Sequence, residues 1–145
     1  MARKARVADI PRSRSKVRQR VRELEAEKAE LVKRMEVLAQ EFQQAFRRPW
    51  PAHPVVQRIA GGHVYVRWRC QGRNGKQNYV DLACEAGQVL LSNLELPVRS
   101  IYVRYGQEML NLNVSHALRQ SEWTRLRQYL ADCAVLDGYA TSPSR

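Results

Sequence analysis

Histidine and cysteine are the side chains in this 145-residue chain most able to bind a metal or attack a substrate, but their spacing suits neither chemistry. Zinc ribbons and dithiol redox sites need closely spaced cysteine pairs, and the chain has no CxxC. Nucleophilic catalysis needs a base and a third group that orients it. The scattered residues are His53, His63, His116, Cys70, Cys84 and Cys133. We therefore expect reduced, buried thiols, no metal, no cofactor and no enzymatic activity.

The chemistry that the sequence does favour is polyanion binding by lysine and arginine. The chain has 25 of these residues against 14 acidic ones, a net charge of +11. Residues 1–22 alone hold nine basic residues against one acidic residue. Such density attracts nucleic acid, because each neutralised phosphate releases a condensed counterion. A solubilising tail without a partner is the alternative. Residues 1–14 are predicted to form a disordered basic arm. The predicted contacts are Arg3, Lys4, Arg6, Arg12, Arg14, Lys16, Arg18, Arg20 and Arg22.

A second basic group follows a segment in which polar and apolar residues alternate, as they do in a half-buried β-strand. One face of this strand carries arginines beside a tyrosine, a combination that suits phosphate contact and base stacking. Asn74-Gly75 predicts a hairpin turn that is narrow enough to enter a groove. The predicted contacts are Tyr65, Arg67, Arg69, Arg73, Asn74, Lys76 and Arg104, with Tyr102 as a further stacking residue. Two alternatives stay open. The face is simply solvated, or the long helix covers it and pairs the arginines with Glu36 or Glu41.

A long helix is predicted between the two basic groups. Residues 15–48 lack glycine and proline and are rich in good helix formers. Its apolar residues recur every 3.5 residues, the period of a left-handed coiled coil. We predict that this seam pairs two copies of the chain. In the alternative, the seam packs on the protein's own sheet. The predicted dimer residues are Val21, Leu24, Lys28, Leu31, Met35, Leu38 and Phe42.

The predicted fold class is α+β, with a small, mostly antiparallel sheet covered by a C-terminal helix. Residues 49–54 are expected to be a proline-rich linker, residues 55–138 the α+β domain and residues 139–145 a tail. Three to five strands are expected. The predicted strands are 55–59, 63–70, 77–82, 101–105 and 109–112, and the last helix is predicted to be capped by Ser121 and to end near Gly138.

The sequence predicts neither a membrane span nor a secretory signal. Aliphatic runs such as Val89-Leu90-Leu91 are far shorter than the roughly 20 residues that span a bilayer. The basic stretch from Met1 to Pro11 is not followed by an apolar segment. We therefore expect a cytoplasmic protein without membrane contact.

Three short segments resemble a known family. They are the aromatic and basic strand Val64–Arg69, the segment Ile101–Gly106 and the pair Glu122-Trp123. Together they are similar to the mobilisation-initiation accessory proteins of bacterial integrative and conjugative elements. The resemblance implies binding near a transfer origin and help in recruiting the relaxase.

These observations favour a DNA-binding accessory protein of a bacterial mobile element, acting in conjugative transfer or recombination. The basic arm is expected to supply most of the affinity and the hairpin face the sequence or shape preference. Two alternatives remain: a coiled-coil adaptor that recruits a protein partner, and an RNA- or ribosome-binding protein.

Overall fold

The computed structural model describes residues 13–71 and 77–141, and within them the chain folds as three helices and a three-stranded antiparallel sheet. The predicted α+β class is therefore confirmed. In chain order the elements are α1 (Arg14–Ala45), β1 (His53–Ile59), β2 (His63–Gln71), β3 (Gln77–Val80), α2 (Glu85–Ser92) and α3 (Leu96–Thr141).

Helix α1 is a 32-residue helix whose start is fixed by a side-chain cap. Ser13 has extended backbone angles, and its hydroxyl accepts a hydrogen bond from the backbone N–H of Lys16. This bond satisfies one of the free N–H groups at the helix start. Arg14 is already helical, so the helix begins at the last residue of the predicted arm, one residue earlier than predicted. At the other end, Phe46 is extended, and the prolines that follow exclude further helix.

The sheet has the order β1-β2-β3, and its inner face forms half of the core. The predicted edge strand at 55–59 is confirmed as part of β1. Gly61 and Gly62 connect β1 to β2 with φ angles of 90° and 89°, which residues with a β-carbon rarely adopt. In β2, Val64, Val66 and Trp68 are buried, as the alternating pattern predicts.

The core lies between this inner sheet face and the two long helices. Phe42 of α1 is fully buried, and its ring packs edge-on against Trp68, Tyr102 and Tyr105 at centroid distances of 5.5, 5.3 and 5.4 Å. Aromatic pairs favour this edge-to-face arrangement. The same cluster contains Met35, Leu38, Val64, Val66, Met109 and Leu112.

The seam of α1 packs inside the chain, so the prediction that it pairs two copies is wrong. Leu24, Met35 and Phe42 have no exposed surface, and Leu38 is 6% exposed. Helix α3 runs antiparallel along α1 and takes the place that a second copy would fill. An antiparallel helix pair within one chain uses the same 3.5-residue period, so the spacing could not separate the two arrangements. The residues that we predicted to pair two copies, and that lie instead on the helix packed within one chain, are Val21, Leu24, Lys28, Leu31, Met35, Leu38 and Phe42.

Residues 96–141 form one 46-residue helix, so the strands predicted at 101–105 and 109–112 are wrong. The alternation of Ile101, Val103 and Tyr105 imitates a strand, but the buried residues on this helix follow a helical spacing. Packing overrides the strand preference of these β-branched and aromatic residues. The predicted cap Ser121 lies inside the helix.

Candidate nucleic-acid interface

The outer face of the sheet brings together the basic and aromatic residues that the strand pattern predicts. Tyr65, Arg67 and Arg69 alternate with the buried residues of β2, so they lie on the side away from the helices. In the β2–β3 register, Arg69 pairs with Tyr79, which puts Tyr79 on the same face. Tyr79 is 37% exposed. The result is a surface of two arginines between two tyrosines.

The two arginines are held in place by neutral partners. The guanidinium carbons of Arg67 and Arg69 lie 4.3 and 5.4 Å from the centre of the Tyr79 ring. Arg69 Nη2 also donates to Tyr79 Oη at 2.9 Å, and Arg67 Nη1 donates to Gln57 Oε1 at 2.8 Å. Stacking and neutral acceptors orient the guanidinium groups without cancelling their charge. Among the described residues neither guanidinium group forms an ion pair with a carboxylate; Arg67 is exposed to solvent, and Arg69 is half-buried.

The three strands contain no acidic residue, and Asp81, directly after β3, lines the same groove as Arg67 and Tyr79. From Phe42 to Val80 there are seven basic residues and no aspartate or glutamate. Arg58 is one of the seven basic residues but does not belong to the outer surface. It lies on the inner side of β1 and pairs with Glu36 of α1 at 2.7 Å. Helix α1 packs on the inner face, so the alternative in which it covers the arginines with Glu36 or Glu41 is wrong.

Aromatic and imidazole rings extend the surface along the strands. His63 and Tyr65 lie nearly parallel, with ring centroids 6.3 Å apart. At the other end, Arg48 lies 4.9 Å above the Trp50 ring, and Trp50 lies 5.0 Å from His53. Burial lowers the pKa of His53, and the nearby charges of Arg69 and Arg48 lower it further. His53 is therefore neutral at pH 7, and the arginines supply the positive charge.

Three of the predicted basic residues on α1 remain exposed to solvent, while two are used in ion pairs. Arg14 pairs with Asp137, and Arg20 Nε donates to Glu122 Oε1 at 2.9 Å. This hydrogen bond raises the pKa of Arg20 and lowers the pKa of Glu122. The other three are Lys16, Arg18 and Arg22, which are exposed and form no ion pair with another described residue.

Tyr102 and Arg104 do not join the sheet surface. Tyr102 is buried in the core, where its hydroxyl donates to the Ala52 carbonyl at 2.9 Å, so its predicted stacking role is wrong. Arg104 is exposed on α3, away from the sheet strands. Outside the described residues lie Arg3, Lys4, Arg6, Arg12, Arg73, Asn74 and Lys76.

Sequence reasoning missed Tyr79, the residue on which both arginines stack. A two-residue turn at Asn74-Gly75 would pair Arg69 with Val80 and direct Tyr79 to the inner face. The observed register pairs Arg69 with Tyr79, one residue away. The sequence does not fix the register between β2 and β3. The alternation of residues in β3 therefore cannot show whether Tyr79 lies on the outer or the inner face of the sheet.

Within the described part of the chain, no group of three or more His, Cys, Asp or Glu residues could hold a metal ion. The same residues contain no helix that combines the length and the apolarity needed to cross a membrane. Comparisons of the chain with protein-family models, curated proteins and solved structures gave no match. Its class is therefore defined by the fold and the surface alone: a small α+β protein with a cationic, aromatic sheet face.

Proposed function

We propose that this protein is a non-enzymatic DNA-binding accessory protein of a bacterial mobile element, acting in conjugative transfer or recombination. One observation carries the binding proposal: Arg67 and Arg69 stack on Tyr79 on the outer face of a sheet whose three strands contain no acidic residue. Uncompensated guanidinium groups bind phosphate, and they also read guanine edges in a bidentate manner. The surface serves both purposes if DNA lies across the sheet.

The width of the sheet is comparable to that of the major groove of duplex DNA. Neighbouring strands lie about 5 Å apart, so the three strand axes span about 10 Å, and the groove is about 12 Å wide. The outward residues near the β2–β3 side are Arg67, Arg69 and Tyr79. We assign base-edge and phosphate contacts to the arginines, and we assign to Tyr79 the role of orienting them.

The basic residues of α1 supply a second contact on the same duplex. Phe42 lies beneath the sheet, and Arg18 lies 24 residues earlier on the same helix. At 1.5 Å per residue this separation is about 36 Å, close to one turn of B-DNA. Because α1 packs on the inner face of the sheet, we assign to Lys16, Arg18 and Arg22 only phosphate contacts on DNA that continues past the edge of the sheet, which add affinity without sequence preference.

The assignment to a mobile element rests on the resemblance of three short segments to mobilisation-initiation proteins. Of these segments, Val64–Arg69 is a strand, whereas Ile101–Gly106 and Glu122-Trp123 lie inside α3. A selection of bound fragments from the genome that encodes the chain tests this assignment. Enrichment of fragments from a transfer origin supports it, and enrichment without any mobile-element sequence contradicts it.

The binding proposal predicts that Arg67→Ala and Arg69→Ala each weaken DNA binding, since each removes a phosphate or base contact. The measurement is fluorescence anisotropy with duplex DNA, single-stranded DNA and RNA across a salt series. For the native chain we expect a log–log salt slope of about −5 or steeper, and a loss of about one unit of slope in each variant.

The matched control is Arg58→Ala, which removes the same charge from the same sheet on its inner side, where Glu36 neutralises it. This control should bind almost as well as the native chain. Equal losses in Arg58→Ala and Arg67→Ala would reject the outer face as the binding surface. A preference for RNA over both DNA forms would replace the DNA proposal with the RNA-binding alternative.

A further inference from the structure

A groove lies between α3 and the edge of β2 that β3 leaves open. Strand β3 pairs with β2 only from Trp68 to Gln71, and the groove extends past the end of this pairing. Its volume is about 740 Å³, within the range of about 300 to 1,000 Å³ that is usual for small-ligand sites. Its walls are mainly apolar, and they include the exposed Val103 and Leu110 of α3. The groove therefore has the size and the lining of a binding site for a flat or aliphatic group.

The Trp68 indole N–H is a hydrogen-bond donor in this groove that lacks an acceptor. Trp68 is 4% exposed, and no described residue accepts a hydrogen bond from its Nε1. Nε1 lies next to Gly106 of α3, which lines the same groove, and a β-carbon at Gly106 would be 3.8 Å from it. Buried tryptophan N–H groups normally have an acceptor. A ligand that fits this groove should therefore supply one.

The groove is continuous with the outer face of the sheet, because Tyr65, Arg67 and Tyr79 belong to both. Asp81 also lines the groove. One of its carboxylate oxygens accepts from the Ala83 N–H at 2.9 Å, and the other has no partner among the described residues. The groove thus offers a ligand a hydrogen-bond donor, the indole N–H, and an acceptor, the carboxylate, beside a guanidinium group at its mouth.

We propose that this groove binds a single unpaired base of the DNA that lies on the sheet, an inference that rests on the proposed function. A nucleobase has two flat faces for apolar contact, and its edge carries both acceptors and N–H donors. It accepts from the Trp68 N–H and donates to Asp81, while Arg67 contacts a phosphate of the same strand. The base is neutral, so the Asp81 carboxylate does not repel it as it would repel a phosphate.

The preferred DNA is one in which a base already lacks a partner. Extrusion of a base from a regular duplex requires that it be unpaired and unstacked, and this cost is smallest at a bulged or single-stranded position. The outer face of the sheet binds the neighbouring backbone in either case. The groove therefore adds a preference for an unpaired base to binding by the outer face.

Fluorescence anisotropy of the full chain with three duplexes tests the proposal. The first duplex is fully matched, the second has one unpaired adenine, and the third has an abasic residue at the position of that adenine. The second and third share the interruption of the duplex and differ only in the base. We expect the duplex with the unpaired adenine to bind about tenfold more tightly than the abasic one, as stacking of a single base allows.

Gly106→Ala tests whether the groove is the place where the base binds. Its methyl group would lie beside Trp68 Nε1 and 3.3 Å from Leu82 Cδ1, so it fills space in the groove next to the indole N–H. The matched control is Gly138→Ala on the same helix, where a β-carbon meets no atom within 4 Å. Alanine favours helix at both positions. We expect Gly106→Ala to reduce the tenfold preference to about threefold or less and Gly138→Ala to keep it.

Failure of this inference differs from failure of the proposed function. If the matched duplex binds, but the unpaired adenine and the abasic residue give equal affinities, the base site is overturned and DNA binding by the outer face stands. Equal preferences in Gly106→Ala and Gly138→Ala would overturn the groove as the location of the base. Absence of binding to all three duplexes would overturn the proposed function and this inference with it.

Discussion

Gln120 shows how one side chain can join three elements of this fold. It is 1% exposed on α3, and its amide lies between the end of β1 and the middle of α1. Gln120 Nε2 donates to the Gly61 carbonyl at 2.9 Å, and Lys28 Nζ donates to Gln120 Oε1 at 2.9 Å. Lys28 also lies 3.9 Å from the centre of the Trp123 ring. Burial lowers the pKa of Lys28, and the charge of Arg127 lowers it further, against the opposing effect of Glu25.

At the residue scale we predict that Gln120→Leu destabilises the protein by about 2 kcal/mol, because the Gly61 carbonyl and the Lys28 ammonium each lose a buried partner. Urea unfolding followed by circular dichroism measures the change. The control is Gln128→Leu, an exposed position whose amide donates only to Asp132 one helical turn away. A loss no larger than that of the control would show that the bridge through Gln120 contributes nothing.

At the scale of elements, α3 completes an edge that the sheet leaves open. Strand β3 has four residues and pairs with β2 only from Trp68 to Gln71, so Val66 has no strand neighbour on that side. Asn113 of α3 takes this place. Its Oδ1 accepts from the Val66 N–H, and its Nδ2 donates to the Val66 carbonyl, both at 2.9 Å. A side-chain amide here forms the two bonds that a longer β3 would otherwise supply.

We predict that Asn113→Leu destabilises the protein by about 2 kcal/mol, because it leaves two backbone groups of Val66 without partners. Hydrogen exchange measured residue by residue locates the effect, and the Val66 amide should lose the most protection. Asn111→Leu is the control, since Asn111 is exposed on the same helix. Unchanged protection at Val66 in Asn113→Leu would contradict the assigned role.

At the scale of the whole molecule, charge is divided between two regions. The described acidic residues lie on the helices, at Asp81 and at Glu95 just before α3. Of these, Glu27, Glu36, Glu122 and Asp137 pair with arginines. The sheet side has basic residues without such partners. The positive potential of the sheet side is therefore cancelled less than that of the helices, as the proposed DNA binding requires.

The buried histidines make the stability of the whole fold depend on pH. His116 is 2% exposed, and its pKa is lowered by burial and by the charges of Lys28 and His63. The pKa of His53 is lowered too, mainly by burial. Below the ordinary histidine pKa near 6.5, the unfolded chain therefore binds more protons than the folded one. The contribution of the neutral histidines to the free energy of unfolding is complete above that pH and decreases as the pH falls below it.

We predict that the free energy of unfolding decreases from pH 7.5 to pH 5.5, and that His116→Leu makes this decrease smaller. Urea unfolding at four or five pH values in this range measures the slope. The range lies above the ordinary pKa of carboxyl groups, so the lowered pKa of Glu122 affects stability only at lower pH. An identical slope in native chain and variant would exclude His116 as a source of the pH dependence.

The sequence by itself determined the features that depend on local interactions. The absence of glycine and proline and the run of good helix formers set the extent of α1. The alternation along β2 determined which residues face the core, and so predicted Tyr65, Arg67 and Arg69 on the outer face. These properties follow from the two periodicities of the backbone, which neighbouring residues reveal without knowledge of distant ones.

Only the tertiary structure decided which elements meet. The seam of α1 has the same spacing whether it packs on α3 or on a second copy, so its partner depends on residues about 90 positions away. Residues 101–112 have strand-like alternation, but their packing against Phe42 makes them helical. A one-residue change in the β2–β3 register would remove Tyr79 from Arg67 and Arg69. In each case long-range packing chooses between arrangements that local sequence allows equally.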